Sequence, residues 1–220
     1  AFKQADYLSD PAYASRRQDA IGYLQMGLEV EDDFKQRIKY ARLLTDEGQD
    51  PDEAVQQYEI LLQQVSDNPT IRREYRKLLL TDRRFLDKAI REYEILVTED
   101  TSSFADRQQL AQLLAQSEPR RQQATELYAS LLQQQPDDFD LRLEYARLLA
   151  GSDSSLQTAQ REYRRLIQQQ PPGAMLAVGL PAAAIQAMAS APMNGFRSFR
   201  RVRDLVFLDC LIARSSIAIF

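Results

Sequence analysis

The sequence predicts an all-α fold built from repeated pairs of helices. Among its 220 residues, four tyrosines are spaced 35 positions apart, and an alanine precedes each of them by four positions. A leucine follows each tyrosine by three positions, and a Leu-Leu pair precedes each alanine in the same register. Self-similarity at a fixed period of this length indicates a helical repeat architecture. The two main columns are Tyr58, Tyr93, Tyr128 and Tyr163, with Ala54, Ala89, Ala124 and Ala159.

Each repeat is predicted to contain a helix A and a helix B. In the first repeat, helix A is expected over residues 33–45 and helix B over residues 51–64. Ile38, Ala41 and Leu44 have the three-to-four-residue spacing of one buried helical stripe. Gly48 and Pro51 lie between the two helices, where glycine ends a helix and proline begins one. The alanine, tyrosine and leucine columns recur in the following three repeats.

The small and aromatic columns predict how the helices pack. The alanines of helix B allow helices A and B to approach closely, and the tyrosine one turn later fills the wider gap beside them. A single helix pair cannot bury both of its faces, so neighbouring pairs must stack to complete the core. We therefore expect a right-handed αα-superhelix, a solenoid with a concave and a convex face.

These columns resemble the pattern of the tetratricopeptide repeat family. Ala41, Leu44, Ala54 and Tyr58 match its small and aromatic positions, and the third and fourth repeats also end in its proline. The chain departs from the family in its period of 35 rather than 34 residues. The second repeat carries arginine at the small position and threonine at the proline position, and all four repeats carry arginine at the usual tryptophan position. The resemblance covers residues 33–171 and implies ligand binding on an inner wall lined by helix A.

The sequence divides into three regions. Residues 33–171 form the four repeats, and residues 1–32 are interpreted as a partial leading repeat because Tyr23 lies 35 positions before Tyr58. Residues 172–220 change composition towards Ala, Gly, Pro and Ser and carry a net charge of +3. For this last region a capping helix is the favoured interpretation. A sequence artefact and a basic amphipathic helix at a membrane surface are the alternatives.

Composition argues against catalysis. The chain has no histidine and one cysteine, Cys210, so histidine-based acid–base chemistry and His/Cys zinc sites are excluded. Cys210 lies in an apolar segment and is expected to be a buried small side chain. We therefore predict no enzyme activity, no cofactor and no metal. No signal peptide is visible and the first residue is Ala1, so we interpret the chain as a fragment of a longer array whose compartment, cytoplasmic or periplasmic, stays open.

The side of helix A opposite its buried stripe supplies the candidate groove residues. Arginine and lysine make this wall mildly basic, although residues 1–171 carry a net charge of −7. We expect such a wall to bind an extended or helical peptide with an acidic stretch or a free carboxylate. A solvated face without a ligand is the alternative. The candidates are Lys35, Ile38, Arg42, Arg73, Lys77, Gln108, Gln112, Leu143 and Arg147.

Arginine also recurs early in helix A, at 37, 72, 107 and 142. One interpretation is a basic ladder for an acidic partner. The favoured one is a structural set, whose aliphatic stems cover the apolar stripe while the guanidinium groups pair with carboxylates. Asp33 and Asp138, four positions before Arg37 and Arg142, are the expected partners.

The preferred function is a non-catalytic scaffold that holds a protein or peptide partner in the groove, as part of a larger bacterial protein. The helices look similar to those of bacterial envelope and exopolysaccharide-secretion arrays. An RNA-binding module of the pentatricopeptide type, which also has a 35-residue period, is the runner-up, and the acidic charge of residues 1–171 argues against it. A regulatory segment of a larger enzyme is the third candidate.

Overall fold

A computed structural model describes residues 16–47, 50–98 and 102–169 of the chain. The expectations for residues 172–220, for Cys210 and for the first 15 residues lie outside this part. The described ranges contain helices and turns and no strand, so the prediction of an all-α array of helix pairs is confirmed. The helices are α1 (Arg17–Val30), α2 (Phe34–Glu47), α3 (Pro51–Gln64), α4 (Pro69–Leu79), α5 (Leu86–Thr98), α6 (Phe104–Gln116), α7 (Arg121–Gln134), α8 (Phe139–Ala150) and α9 (Leu156–Gln169).

The chain forms two compact units, Ala1–Ile95 and Leu96–Phe220, here called unit 1 and unit 2. In unit 1, α2 packs on α1 and α3, and α3 packs on α4. In unit 2, α7 packs on α6 and α8, and α8 packs on α9. Within the described ranges no helix is long and apolar enough to cross a membrane.

The helix ends follow from local sequence. Asp50 caps α3 by accepting a 3.0 Å hydrogen bond from the backbone N–H of Glu53, and Pro51 occupies the first turn, where its missing N–H costs nothing. Ser103 and Asp106 form a capping box at the start of α6. Each such cap stabilises its helix by about 1 kcal/mol. Helix α3 therefore begins and ends where the sequence predicts.

The alanine and tyrosine columns form the core. All four alanines have no exposed surface, and three of the four tyrosines are 1% exposed. Tyr93, the fourth member of the column, is half-buried. Helices A and B pack together in the first, third and fourth repeats, and the aromatic column is fully enclosed at Tyr58, Tyr128 and Tyr163.

The leading helix corrects one expectation. Tyr23 is 38% exposed, whereas Leu24 has no exposed surface and occupies the position equivalent to Tyr58. The loop between α1 and α2 has three residues, whereas the loop between α3 and α4 has four. The equivalent positions Leu24 and Tyr58 are therefore 34 residues apart. The buried stripe of α1 consists of Ala20, Leu24 and Gly27.

Candidate functional site

A basic surface lies on the exposed side of α2 and α4 in unit 1. Lys35, Arg42, Arg73 and Lys77 are all exposed there, and we call these four residues the unit 1 basic surface. The Arg42 side chain on α2 contacts Glu74 on α4, which brings the two exposed sides together. Ile38, the apolar candidate of this region, is half-buried.

Arg73 and Lys77 are the unpaired cations of this surface. They lie four residues apart on α4, a spacing that places side chains on one face about 6 Å apart. Neither side chain makes a hydrogen bond or ion pair with the described residues, and the same holds for Lys35. Helix α4 carries four cationic residues and one carboxylate in eleven positions. The helix therefore has too few carboxylates to neutralise Arg73 and Lys77.

Arg42 is exposed but engaged. Its Nε donates to Oε2 of Glu74 at 3.0 Å, and its Nη2 donates to Oε1 at 2.8 Å. This two-point geometry is the strong form of an Arg–carboxylate pair. The hydrogen bond with Glu74 raises the pKa of Arg42 above its ordinary value. Arg42 is therefore charged and oriented along α4.

Glu74 belongs to a reciprocal pair of contacts between α3 and α4. The Tyr58 hydroxyl donates to Oε2 of Glu74 at 3.2 Å, and the Tyr75 hydroxyl donates to Oε1 of Glu59 at 2.9 Å. The two tyrosine rings lie 6.1 Å apart between their centroids. Burial, and after it the neighbouring carboxylates and hydrogen bonds, raises the pKa of both tyrosines. These contacts fix the Glu74 carboxylate relative to the core.

The corresponding positions of unit 2 are different. Gln108 and Gln112 are half-buried and uncharged. Leu143 is only 3% exposed, because it packs in a core cluster with Ala146 and other apolar side chains of α8 and α9. Leu143 therefore cannot belong to an exposed wall, and its inclusion among the groove candidates was wrong. Arg147 donates to Oε1 of Glu144 at 2.9 Å within α8.

The arginine column is structural in three of its four members. Arg37 donates to Asp32 at 2.7 Å and to Gln57, and Arg72 donates to Glu92 at 3.0 Å. Arg142 donates to Oε2 of Glu162 at 2.6 Å and to the backbone carbonyl of Pro136. The favoured interpretation of the column is thus confirmed at these positions.

The partners predicted for the column were wrong. Asp33 and Asp138 accept the backbone N–H groups of Gln36 and Leu141, each at 2.9 Å, and so cap α2 and α8. A carboxylate at the first turn is stabilised there by unpaired backbone donors and by the helix dipole. Three of the column's side chains, at 37, 72 and 142, instead contact the helix B residue twenty positions later.

Arg107 is the exception in the column. The residue twenty positions after it is Leu127, which packs against the apolar cluster of α6, α7 and α8. The Nε atoms of Arg107 and Arg142 are both buried without a hydrogen-bond partner, but the Arg107 side chain, unlike that of Arg142, makes no hydrogen bond or ion pair with the described residues. The sequence itself contains a signal for this difference. Of the four helix B residues that lie twenty positions after the arginines, Gln57, Glu92 and Glu162 are polar and Leu127 is apolar.

Two related clefts, which sequence reasoning missed, lie between successive helix pairs of unit 1. The first, about 220 Å³, is lined by Leu28, Tyr40, Glu53, Gln57 and others. The second, about 310 Å³, has Gln63, Tyr75, Lys88 and Glu92 at the equivalent positions, 35 residues later. Burial and the nearby Glu53 raise the pKa of Tyr40 to about 12. In the second cleft, Tyr75 and Lys88 already share the carboxylate of Glu59.

The described ranges hold no group of three His, Cys, Asp or Glu side chains arranged to bind a metal ion. The unit 1 basic surface is a candidate site because the side chains of Lys35, Arg73 and Lys77 make no hydrogen bond or ion pair with the described residues.

Solved structures with a similar fold are tetratricopeptide repeat (TPR) proteins. YrrB, described as a TPR protein with an unusual peptide-binding site, matches with a TM-score of 0.51 and 16% identity over 87% of this chain and 97% of its own. A tetratricopeptide repeat protein from Parabacteroides merdae matches with a TM-score of 0.53 and 18% identity over 97% of this chain and 91% of its own. The C-terminal part of a TPR protein from Cytophaga hutchinsonii matches with a TM-score of 0.50 and 14% identity over 97% of this chain and 80% of its own. No family model matches the sequence, and no curated protein matches it.

Proposed function

We propose that this chain, which has the tetratricopeptide repeat fold, is a non-catalytic module that binds an acidic segment of a peptide or protein partner on the unit 1 basic surface. The observation that carries the proposal is the pair Arg73 and Lys77. Both are exposed, they lie one turn apart, and neither has a partner among the described residues. A carboxylate of a binding partner would supply the missing hydrogen-bond acceptors.

The spacing of the pair suggests the form of the ligand. Side chains at positions i and i+4 of a helix lie about 6 Å apart. In an extended peptide, side chains on one face recur about every 7 Å. A peptide with acidic residues at alternate positions therefore matches Arg73 and Lys77. Lys35 on the neighbouring helix α2 is available to a longer acidic stretch.

The likeness to YrrB supports a peptide as the class of partner, because that protein of the same fold is described as having a peptide-binding site. Its description says nothing of charge. The preference for an acidic peptide comes from the side chains of this chain alone.

The proposal is tested with a fluorescein-labelled peptide in which glutamate and serine alternate, followed by fluorescence anisotropy at low salt. We expect the charge-reversed variant R73E/K77E to bind at least about tenfold more weakly than the unaltered protein. The matched control is R83E/R91E, which makes the same change in net charge at two other exposed arginines of unit 1. We expect it to bind within about twofold of the unaltered protein, because exposed charges off the site contribute little.

Two results would contradict the proposal. Equal weakening in both variants would mean that the peptide responds only to net charge. Unchanged binding in R73E/K77E would place the site elsewhere. A single-stranded RNA of equal length is assayed in parallel, and tighter binding of the RNA than of the peptide would favour the nucleic-acid alternative instead.

A further inference from the structure

Glu74 lies on α4 between Arg73 and Lys77 in the sequence. It precedes Lys77 by three positions, a spacing that makes neighbours on a helix surface, and its carboxylate receives both hydrogen bonds of Arg42. The carboxylate therefore pairs with Arg42, and neither Arg73 nor Lys77 forms an ion pair with it. The Arg42 and Glu74 side chains are 49% and 30% exposed, so their bond can be reached from solvent.

The two members of this ion pair are held unequally. Glu74 is also fixed by the hydroxyl of Tyr58, a residue that is 1% exposed, at 3.2 Å. Arg42 has no described hydrogen-bond partner other than Glu74. Its guanidinium group is therefore the part that can exchange one carboxylate for another. Exposed ion pairs contribute little to stability, so the exchange has a small cost.

We propose that Glu74 is an internal competitor for the partner's carboxylate: it occupies Arg42 in the free protein, and an acidic partner must displace it to engage Arg42. This inference rests on the proposed function. It assigns Glu74 a role in specificity, because only a partner whose carboxylate replaces that of Glu74 can bind Arg42 in addition to Arg73 and Lys77. A partner with few acidic residues binds Arg73 and Lys77 alone.

Unit 2 provides a matched comparison. Glu144 occupies the position of Glu74 two repeats later, and it lies near enough to the buried Tyr128 to contribute to the raised pKa of that tyrosine. The position of Arg42 is taken by Gln112, and Glu144 receives Arg147 from its own helix. Glu144→Gln therefore removes the same charge from the same helix position without releasing a cation of the unit 1 basic surface.

The test measures binding of the alternating glutamate–serine peptide by fluorescence anisotropy. Glu74→Gln keeps an oxygen acceptor for Tyr58 but loses the charge that holds Arg42. We expect E74Q to bind the peptide about three- to tenfold more tightly than the unaltered protein, and E144Q to bind within about twofold of it. In the double variant R42Q/E74Q the gain should disappear, because the released cation is absent.

Several outcomes would overturn the inference. If E74Q binds no more tightly while binding still depends on Arg73 and Lys77, the inference fails and the proposed function stands. If the gain persists in R42Q/E74Q, which has the same net charge as the unaltered protein, the gain does not come from Arg42. If E144Q binds as tightly as E74Q, the gain comes from net charge. If neither the unaltered protein nor E74Q binds the peptide, the proposed function itself fails.

A second variant keeps the test decisive if thermal unfolding shows that E74Q is not folded. Glu74→Asp keeps the charge and leaves Arg42 unaltered, but its shorter side chain weakens the two-point contact between them. We expect E74D to bind the peptide about twofold more tightly, because Arg42 is held less firmly and remains intact for the partner's carboxylate. Equal or weaker binding would contradict the internal competition.

Discussion

Units 1 and 2 have the same helix-pair fold but a different net charge at equivalent helix A positions. The positions that lie opposite the buried stripe carry four cations in unit 1 and one arginine and one aspartate in unit 2. In unit 1 three of the cations make no ion pair with the described residues, whereas Arg147 of unit 2 is bonded to Glu144. The same backbone can therefore present a basic surface or a nearly neutral one, and the difference is confined to a few side chains per repeat.

The buried arginine column differs between the units as well. Both described members in unit 1, Arg37 and Arg72, have a polar partner on helix B. In unit 2, Arg142 forms a buried pair with Glu162, whereas the residue twenty positions after Arg107 is a leucine. The arginine of helix A therefore does not stabilise every repeat to the same degree. Substitutions of these arginines measure the difference as a change in the free energy of unfolding.

The largest expected effect is on stability, from Arg142→Met. The Arg142 and Glu162 side chains are each 9% exposed, so the substitution leaves a buried carboxylate whose remaining described partner is the exposed Arg165. Removing one member of a buried ion pair typically lowers the free energy of unfolding by about 3 kcal/mol. Urea unfolding followed by far-ultraviolet circular dichroism measures this change.

The matched control for that prediction is Arg37→Met in unit 1. The partners of Arg37 are Asp32, which is 51% exposed and can be hydrated, and the neutral Gln57. We expect a loss of about 1 kcal/mol, the value of an ordinary hydrogen bond. A loss at Arg37 equal to that at Arg142 would mean that the buried charge makes no difference.

A smaller effect is expected when the unit 1 basic surface is copied into unit 2. Gln108 and Gln112 occupy the positions of Arg73 and Lys77 one repeat later, and the position of Glu74 is Gln109, so no carboxylate competes there. We expect Q108R/Q112K to bind a second equivalent of the alternating glutamate–serine peptide, with an affinity within about tenfold of that of the first site. Isothermal titration calorimetry measures the stoichiometry. A single site in the variant would mean that two unpaired cations on one helix are not sufficient.

Sequence patterns predicted the parts of the molecule that depend on local rules. The bounds of α3 follow from Asp50, Pro51 and the apolar stripe, and the enclosed alanine column follows from the 35-residue period. Lys35, Arg42, Arg73 and Lys77 are exposed on α2 and α4, as helical periodicity alone predicts.

Contacts between repeats could not be predicted in the same way. Glu74 lies 32 positions from Arg42, and its hydrogen bonds depend on how α4 packs beside α2 and α3. Ile38 and Leu143 occupy the same column, yet Ile38 is half-buried and Leu143 is enclosed by the cluster of α8 and α9. The exposure of Tyr23 depends on a loop that is one residue shorter than its counterpart. Each of these features requires the three-dimensional arrangement of neighbouring helices.

The smallest expected change in stability is at Arg107. It distinguishes this residue from the arginines of the column that have a polar partner on helix B. Its Nε is buried without a hydrogen-bond partner, and the helix B position that pairs with the other arginines is Leu127. Methionine has a similar length and no charge, so Arg107→Met removes an unsatisfied polar group and adds an apolar contact. Such replacements are close to neutral, and we expect the free energy of unfolding to change by less than about 0.5 kcal/mol. A loss near that of Arg142→Met, measured by the same urea unfolding, would mean that Arg107 is as firmly paired as the rest of the column and that Leu127 does not weaken the third repeat.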